Sequence, residues 1–215
     1  MKIVAISDLH NNYIKSLPPG DILLIAGDFT GSGKDFEVEK FNEFLGRFRR
    51  YFKEILITPG NHDFLFEDDY PRASKLITNA KLLMNETHTL YNGMTIFGSP
   101  VQTWFHDWAF NIKSYDDRMA VWKKIPDDVD ILMTHGPAYS ILDKTIDGKL
   151  TGCDALRDRL FQLACLKLHV FGHIHESYGR IKNPGNFTHI AANVSLCNRY
   201  PKQGLNPATV IELDD

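Results

Sequence analysis

Five short apolar runs, each closed by residues that carry chemistry, constrain this chain more than any other feature. KIVAIS, DILLIA, EILITP, DILMT and LHVFG are rich in strand-forming residues, too short for free-standing helices, and each gives way to polar or glycine residues; that is the pattern of buried strands. They end in Asp8-Leu9-His10, Gly27-Asp28, Gly60-Asn61-His62-Asp63, His135-Gly136 and His173-Ile174-His175. Parallel strands align their carboxyl ends, where open α/β folds bind ligands, so the five clusters are expected to converge along one sheet edge.

Between the second and third runs, residues 35 to 52 set Phe36, Val38, Phe41, Phe44, Leu45 and Phe48 among charges at roughly helical spacing, which predicts an amphipathic helix and a parallel crossover. Further helices are expected at about 70 to 78, 114 to 124 and 153 to 163. Asn92-Gly93 between two apolar runs predicts a hairpin, and NFTHIAA and ATVIEL read as closing strands of a mixed sheet. No repeat, linker or low-complexity tract divides the 215 residues, so residues 1–215 are expected to form a single α/β domain.

Composition narrows the partners. Lys and Arg number 24 against 27 Asp and Glu, a formal net charge of −3, which leaves no basic footprint for long nucleic acid. Three widely spaced cysteines suggest neither a disulfide framework nor a cysteine-based zinc site and fit a reducing compartment. MKIVAISD reaches a charge too early for a signal peptide, and no apolar stretch approaches the roughly 20 residues that cross a bilayer. The expectation is a cytoplasmic protein with no membrane span.

One segment, AGDFTGSGKD at residues 26 to 35, looks like a phosphate loop. A Walker loop needs a leading glycine where Asp28 stands and a Ser or Thr after its lysine where Asp35 stands. It fails at both positions, so Asp28 must handle phosphate by another route, if it does so at all.

Each strand-end cluster taken singly has a bland explanation, since Asp, Asn and Gly form turns and a loop histidine can simply be satisfied. Together they crowd two carboxylates, and like charges 4 Å apart repel by about 4 kcal/mol at an effective dielectric of 20. A cation is the natural compensation. Two aspartates, one amide oxygen and four histidines suit manganese first, with iron, zinc, cobalt or nickel as alternatives, rather than calcium. The set is too large for one ion, so Asp8, His10, Asp28, Asn61, His135, His173 and His175 are expected to hold two, with Asp28 bridging. Two divalent ions less two carboxylates and a hydroxide leave the site net positive, and neutral Asn61 preserves that surplus. This favours hydrolysis of a phosphate ester by metal-bound hydroxide, because metals lower the pKa of bound water from 15.7 to about 7. His62, beside a ligand but not needed as one, is the candidate general acid for the leaving alcohol. The competing reading has it bonded only to loop backbone.

In this order and position, D-x-H, G-D, G-N-H-D, a lone His and G-H-x-H resemble the motif series of calcineurin-like metallophosphoesterases, across residues 8 to 175. The resemblance implies a four-layer α/β/β/α sandwich with mixed sheets and a binuclear metal centre. One ion would be held by Asp8, His10, Asp28 and His175 and the other by Asp28, Asn61, His135 and His173, with His62 facing substrate. GDFT, FNEFLGRF, TIFGSPVQTWFHDWAFN and LHVFGHIHESYG further resemble the metallophosphoesterase-domain-containing group. That implies phosphodiesterase activity on small diesters, cyclic nucleotides among them. Some relatives lack the first histidine of G-H-x-H, whereas His173 is present here.

Trp104, Phe105, Trp108 and Phe110 form an aromatic segment that is expected to be mostly core, although a nucleobase could stack on Trp104. His106 and Asn193 are further substrate-binding candidates. His88, His169 and His189 read as structural, and Phe64-Leu65-Phe66 as core or dimer contact, which leaves a homo-oligomer open. The competing functions are a phosphomonoesterase acting on phosphoproteins, a nuclease, and a non-catalytic interaction module on the same fold. The last predicts eroded ligand positions, and none is eroded.

Overall fold

The computed structural model describes residues 1–198 and 204–213. Among them, β1 (Lys2–Ile6), β2 (Ile22–Ala26) and β3 (Glu54–Thr58) run parallel, with β4 (Lys81–Leu82) beside β3 and β13 (Thr209–Glu212) antiparallel to β1. A second sheet has the order β11 (Gly179–Lys182), β12 (Ile190–Asn193), β10 (Leu168–Phe171), β9 (Ile131–Thr134), β6 (Thr95–Ser99), β5 (Glu86–Thr89). Its four inner strands are parallel and its two edges antiparallel. β7 (Gln102–Thr103) and β8 (Asn111–Ile112) form a separate pair.

Alternation along each strand explains why two sheets stack. Val4, Ile6, Leu23 and Ile25 face one core with Phe41, Phe44 and Leu45 of α1 (Asp35–Gly46), Phe66 of α2 (Leu65–Asp68) and Ala73 of α3 (Tyr70–Leu76). Their neighbours Ile3, Ala5, Ile22, Leu24 and Ala26 face Ile131, Met133, Leu168 and Val170 of the other sheet. Leu132 and Phe171 then turn outward onto Trp122 of α4 (Tyr115–Trp122) and Leu156 and Leu160 of α5 (Asp154–Leu160). Strands covered on both faces have no polar side, which is why they read as near-continuous apolar runs. The result is the α/β/β/α layering and the mixed sheets that the resemblance implied.

Two expectations are corrected. The five motif-bearing strands do not share one sheet edge: three lie in the first sheet and two in the second. Their carboxyl ends still meet, because the Ser7 amide donates to Val194 O at 3.0 Å and the Leu196 amide to Ser7 O at 2.9 Å, which laces the sheets together at that end. The first helix stops at Gly46 rather than near residue 52, at the poorest helix former after proline. Phe48 and Phe52 still reach the core from the turns that follow.

The start of α1 resolves the loop that looked built for phosphate. An anion does sit among its amides, and it is the buried side chain of Glu37, the third helical residue. Its carboxylate accepts from the amides of Gly31, Ser32 and Lys34, from Ser32 Oγ and from Asn11 Nδ2. A carboxylate in the first turn also complements the helix dipole. Burial works to raise this carboxyl, but the amide of Lys34, the Asn11 side chain and the Ser32 donors outweigh it and bring it down to about 2. A depressed carboxyl contributes stability above its unfolded value, and that contribution is lost as pH falls through the folded one. Urea midpoints should therefore fall between pH about 4.5 and 2, and Glu37→Gln should flatten part of that fall. An unchanged slope in the variant would contradict this account of the cap.

Candidate metal centre

The site lies where the loops after β1, β2, β3, β9 and β10 meet. The Asp8 amide donates to Gly27 O and the His10 amide to Asp28 O, both at 2.9 Å, while the Gly172 amide donates to His135 O at 2.9 Å. The first two motifs are thus bound to each other, and so are the last two. Asp8, His10, Asp28 and His173 have φ of 52°, 42°, 53° and 68°, a left-handed conformation that costs an L-residue roughly 1–2 kcal/mol. Four of the seven ligand candidates are therefore held in this conformation. Close approach also needs glycine at 172, where a Cβ would overlap Asp8 Oδ2 and Ser7 Oγ.

Asp8, Asp28, Asn61 and His135 are buried, and His10, His62, His173 and His175 are half-buried. Asp28 Oδ2 lies 3.8 Å from His10 Nε2 on one side and 3.3 Å from His135 Nε2 on the other. His175 Nε2 is 3.2 Å from Asp8 Oδ1 and 3.4 Å from His10 Nε2. Ligand atoms of Asp8, His10 and His175, and of Asp28, His135 and His173, cluster within 4.8 Å. His62 also falls within that distance of His10 and Asp28.

The donor set fits cations on its own chemistry. His135 Nδ1 donates to Ala26 O at 3.0 Å, which leaves Nε2 as a lone pair. That lone pair faces Asn61 Oδ1 at 2.8 Å and the Asp28 carboxylate, and three acceptors pointing at one another need a positive charge among them. The same demand shows in its titration: burial works against charging His135, yet the Asp28 charge lifts its ring to about 9, so that a proton on Nε2 meets the need a cation would otherwise meet. Burial likewise opposes ionisation of Asp8, and His175 outweighs it, holding the carboxyl below its ordinary range. His173 is pushed down to about 4 by burial and by the neighbouring His135, and a neutral imidazole is the form that ligates metal.

His62 sits over this cluster. Its amide donates to Asp28 Oδ1 at 2.8 Å and its Nδ1 to Gly31 O at 2.8 Å, so Nε2 is free to face the site. Its ring meets His10 edge-on at 4.5 Å and Trp108 at 4.2 Å. Asp63, the last residue of the same motif, is buried and holds the turn by accepting from the Thr30 and Gly60 amides.

A profile of the calcineurin-like phosphoesterase family matches residues 1–177. The chain belongs to that family. Metallophosphoesterase domain-containing protein 1 of Homo sapiens is 35% identical over 238 aligned residues, taking in 99% of this chain and 71% of that protein; the Mus musculus protein of that name gives the same figures. A solved structure, TT1561 of Thermus thermophilus, superposes with a TM-score of 0.60 at 12% identity over 89% of this chain and 88% of that one, a likeness of fold. As a calcineurin-like phosphoesterase the chain is a metal-dependent hydrolase of phosphate esters. Among the described residues no helix is long and apolar enough to cross a membrane.

The substrate-binding candidates divide. Trp104 is 48% exposed and helps wall a cavity of about 710 Å³ that opens from His173, with Phe105, Tyr139, Leu150, Arg157 and Ile174. Trp104 and Phe105 are thus rim residues, not core; Ala109 and Phe110 are the buried part of that segment. His106 is exposed, packs on Phe105 and does not wall the cavity. Asn193 is fully buried, and its Nδ2 donates to Ile174 O at 2.8 Å. It braces the loop between the last two histidines and has no path to substrate. The contact of Trp108 with His62, the place of Glu37 and the Tyr139 and Arg157 wall carried no sequence signal, because they come to the site through tertiary packing alone.

Removing Asp28 should strip both halves of the centre. Metal analysis of Asp28→Ala should find well under one ion per chain where the parent chain binds about two, and equal contents would show that Asp28 is not shared.

Proposed function

We propose that the chain is a dimetal phosphodiesterase acting on small diesters, cyclic nucleotides among them. The observation that carries this reading is the Asp28 carboxylate oxygen lying between two histidine-rich half-sites. Asp8, His10, Asp28 and His175 would hold one ion, and Asp28, Asn61, His135 and His173 the other. Bound there, divalent cations supply Lewis acidity to phosphoryl oxygens and make a water-derived nucleophile available near neutral pH; manganese suits the mixed N and O donors.

The chain's own residues do the rest. Asn61 offers an uncharged oxygen, so the site keeps a positive surplus for an anionic substrate. His62, with Nδ1 committed to Gly31 O and its ring beside His10 and Asp28, donates the Nε2 proton to the departing alcohol oxygen. Trp104, Phe105 and Tyr139 give the cavity beside His173 flat apolar faces for the ester's organic group, in a volume that fits a small ligand. A diester brings a second organic group for those faces to hold while the first departs, which favours diesters. Cytoplasmic location and action as one domain belong to the same proposal.

The test is hydrolysis of bis(p-nitrophenyl) phosphate by chelator-stripped protein before and after manganese, with Asp28→Ala as control. Activity should appear with the metal and be absent from the variant. A diester to monoester rate ratio below one would move the assignment to a phosphomonoesterase. His62→Ala should retain both ions and lose about 10²- to 10⁴-fold in kcat on diesters of poor leaving groups; metal loss in that variant would show that His62 is a ligand. Trp104→Ala should raise KM about 5-fold or more for aryl esters with little change in kcat, and an unchanged KM would remove it from the binding surface.

A further inference from the structure

A general acid is only as good as the fixed direction of its ring. The partner of His62 Nδ1 is a peptide carbonyl, Gly31 O, and the peptide unit to which that carbonyl belongs is held at its other end. Its N–H is the amide of Ser32, which donates to Glu37 Oε2 at 3.0 Å. The chain of groups is therefore imidazole N–H to C=O, then N–H to carboxylate, through a single amide. We propose that Glu37 is the positioning residue for His62, acting through the Gly31–Ser32 peptide; the inference rests on the reading of His62 as general acid.

Three observations carry it beyond a helix cap. The carboxylate is buried and accepts five hydrogen bonds, whereas capping the helix would need only the Lys34 amide. Hydrogen bonds in series polarise one another, so a carboxylate on the amide N–H makes the carbonyl at its far end a better acceptor. The arrangement does through one peptide what an aspartate does directly in a Ser-His-Asp triad, fixing the tautomer and the ring plane. Glu37 also grips Asn11, the chain neighbour of His10, at 2.6 Å, and the His10 ring meets that of His62 edge-on at 4.5 Å. Trp108 closes the other side of the His62 ring. When His62 releases its Nε2 proton to the leaving oxygen, the Nδ1 proton stays on the ring and keeps its bond to Gly31 O.

The test is the tautomer of His62, read by long-range ¹H–¹⁵N correlation on the full chain supplied with diamagnetic zinc, at alkaline pH where imidazole is neutral. The parent chain should show His62 protonated on Nδ1. Glu37→Gln cannot accept from both sets of donors, and should shift His62 toward the Nε2-protonated form that free histidine prefers. His135, whose Nδ1 is held by Ala26 O, should not change, which separates a local effect from general loosening. Ser32→Ala, at an exposed position that loses a single donor to Glu37, should give a smaller shift in the same direction and covers the case in which Glu37→Gln folds poorly. In the manganese-loaded enzyme, Glu37→Gln should slow aryl diesters of poor leaving groups by about 10-fold, a part of the general-acid effect, spare good ones, and add nothing in a His62→Ala background. An unchanged His62 tautomer in both variants, or a uniform loss across leaving groups, would overturn the proposal. Should the parent chain cleave no diester, the proposed function fails while the tautomer still decides whether Glu37 sets the ring.

Discussion

The structure turns on lone pairs gathered at the seam of two sheets. Asp8 and Asp28 are out of water, and the histidine nitrogens around them face oxygens or each other at 2.8–3.8 Å. Such an arrangement repels itself unless positive charge enters, and a folded chain that keeps it gives up stability that apolar residues of similar volume could supply. Left-handed L-residues in the same loops, Asp8, His10, Asp28 and His173 among them, add to the cost. The compensation comes from elsewhere: three contiguous apolar cores, one between the sheets and one under each helical layer, rigid enough to hold the loops where they are.

That division of labour explains where the candidate ligands sit. A strand end inside a stacked pair of sheets has its direction set by ladder partners on both sides, so the first side chain beyond it is placed with little freedom. Asp8, Asp28, His135 and His173 all stand within two residues of such an end. Lacing by the Ser7 peptide then converts two separate sheet edges into one rim, and the geometry between half-sites no longer depends on any flexible segment.

Local patterning made much of this legible. The five apolar runs, their chemistry-bearing ends and the first helix could be read because strand and helix periodicity are short-range properties, and G-N-H-D and G-H-x-H because their ligands are near neighbours in the chain. The division of those runs between two sheets was not visible to spacing, since either arrangement buries the same alternating residues; the family resemblance supplied it. Asn193 was misjudged for a related reason: an amide at a strand end can face the site or brace it, and only the position of Ile174 O decides. Phe105 was misjudged because large aromatics are usually buried, and its exposure beside Trp104 depends on a cavity whose far wall, Tyr139 and Arg157, is distant in sequence.

The occupied nest at the start of α1 bears on the protein's ligand preferences. Glu37 is tethered three residues from Lys34, so its carboxylate is present at those amides at an effective concentration that a freely diffusing phosphate in the cell cannot match. A free nucleoside triphosphate therefore has to compete with an intramolecular anion for donors that are already satisfied. The chain can carry a glycine-rich turn of this kind beside its Asp and His cluster and still stay indifferent to nucleotide phosphates there, which leaves that cluster as the proposed place for a phosphate ester.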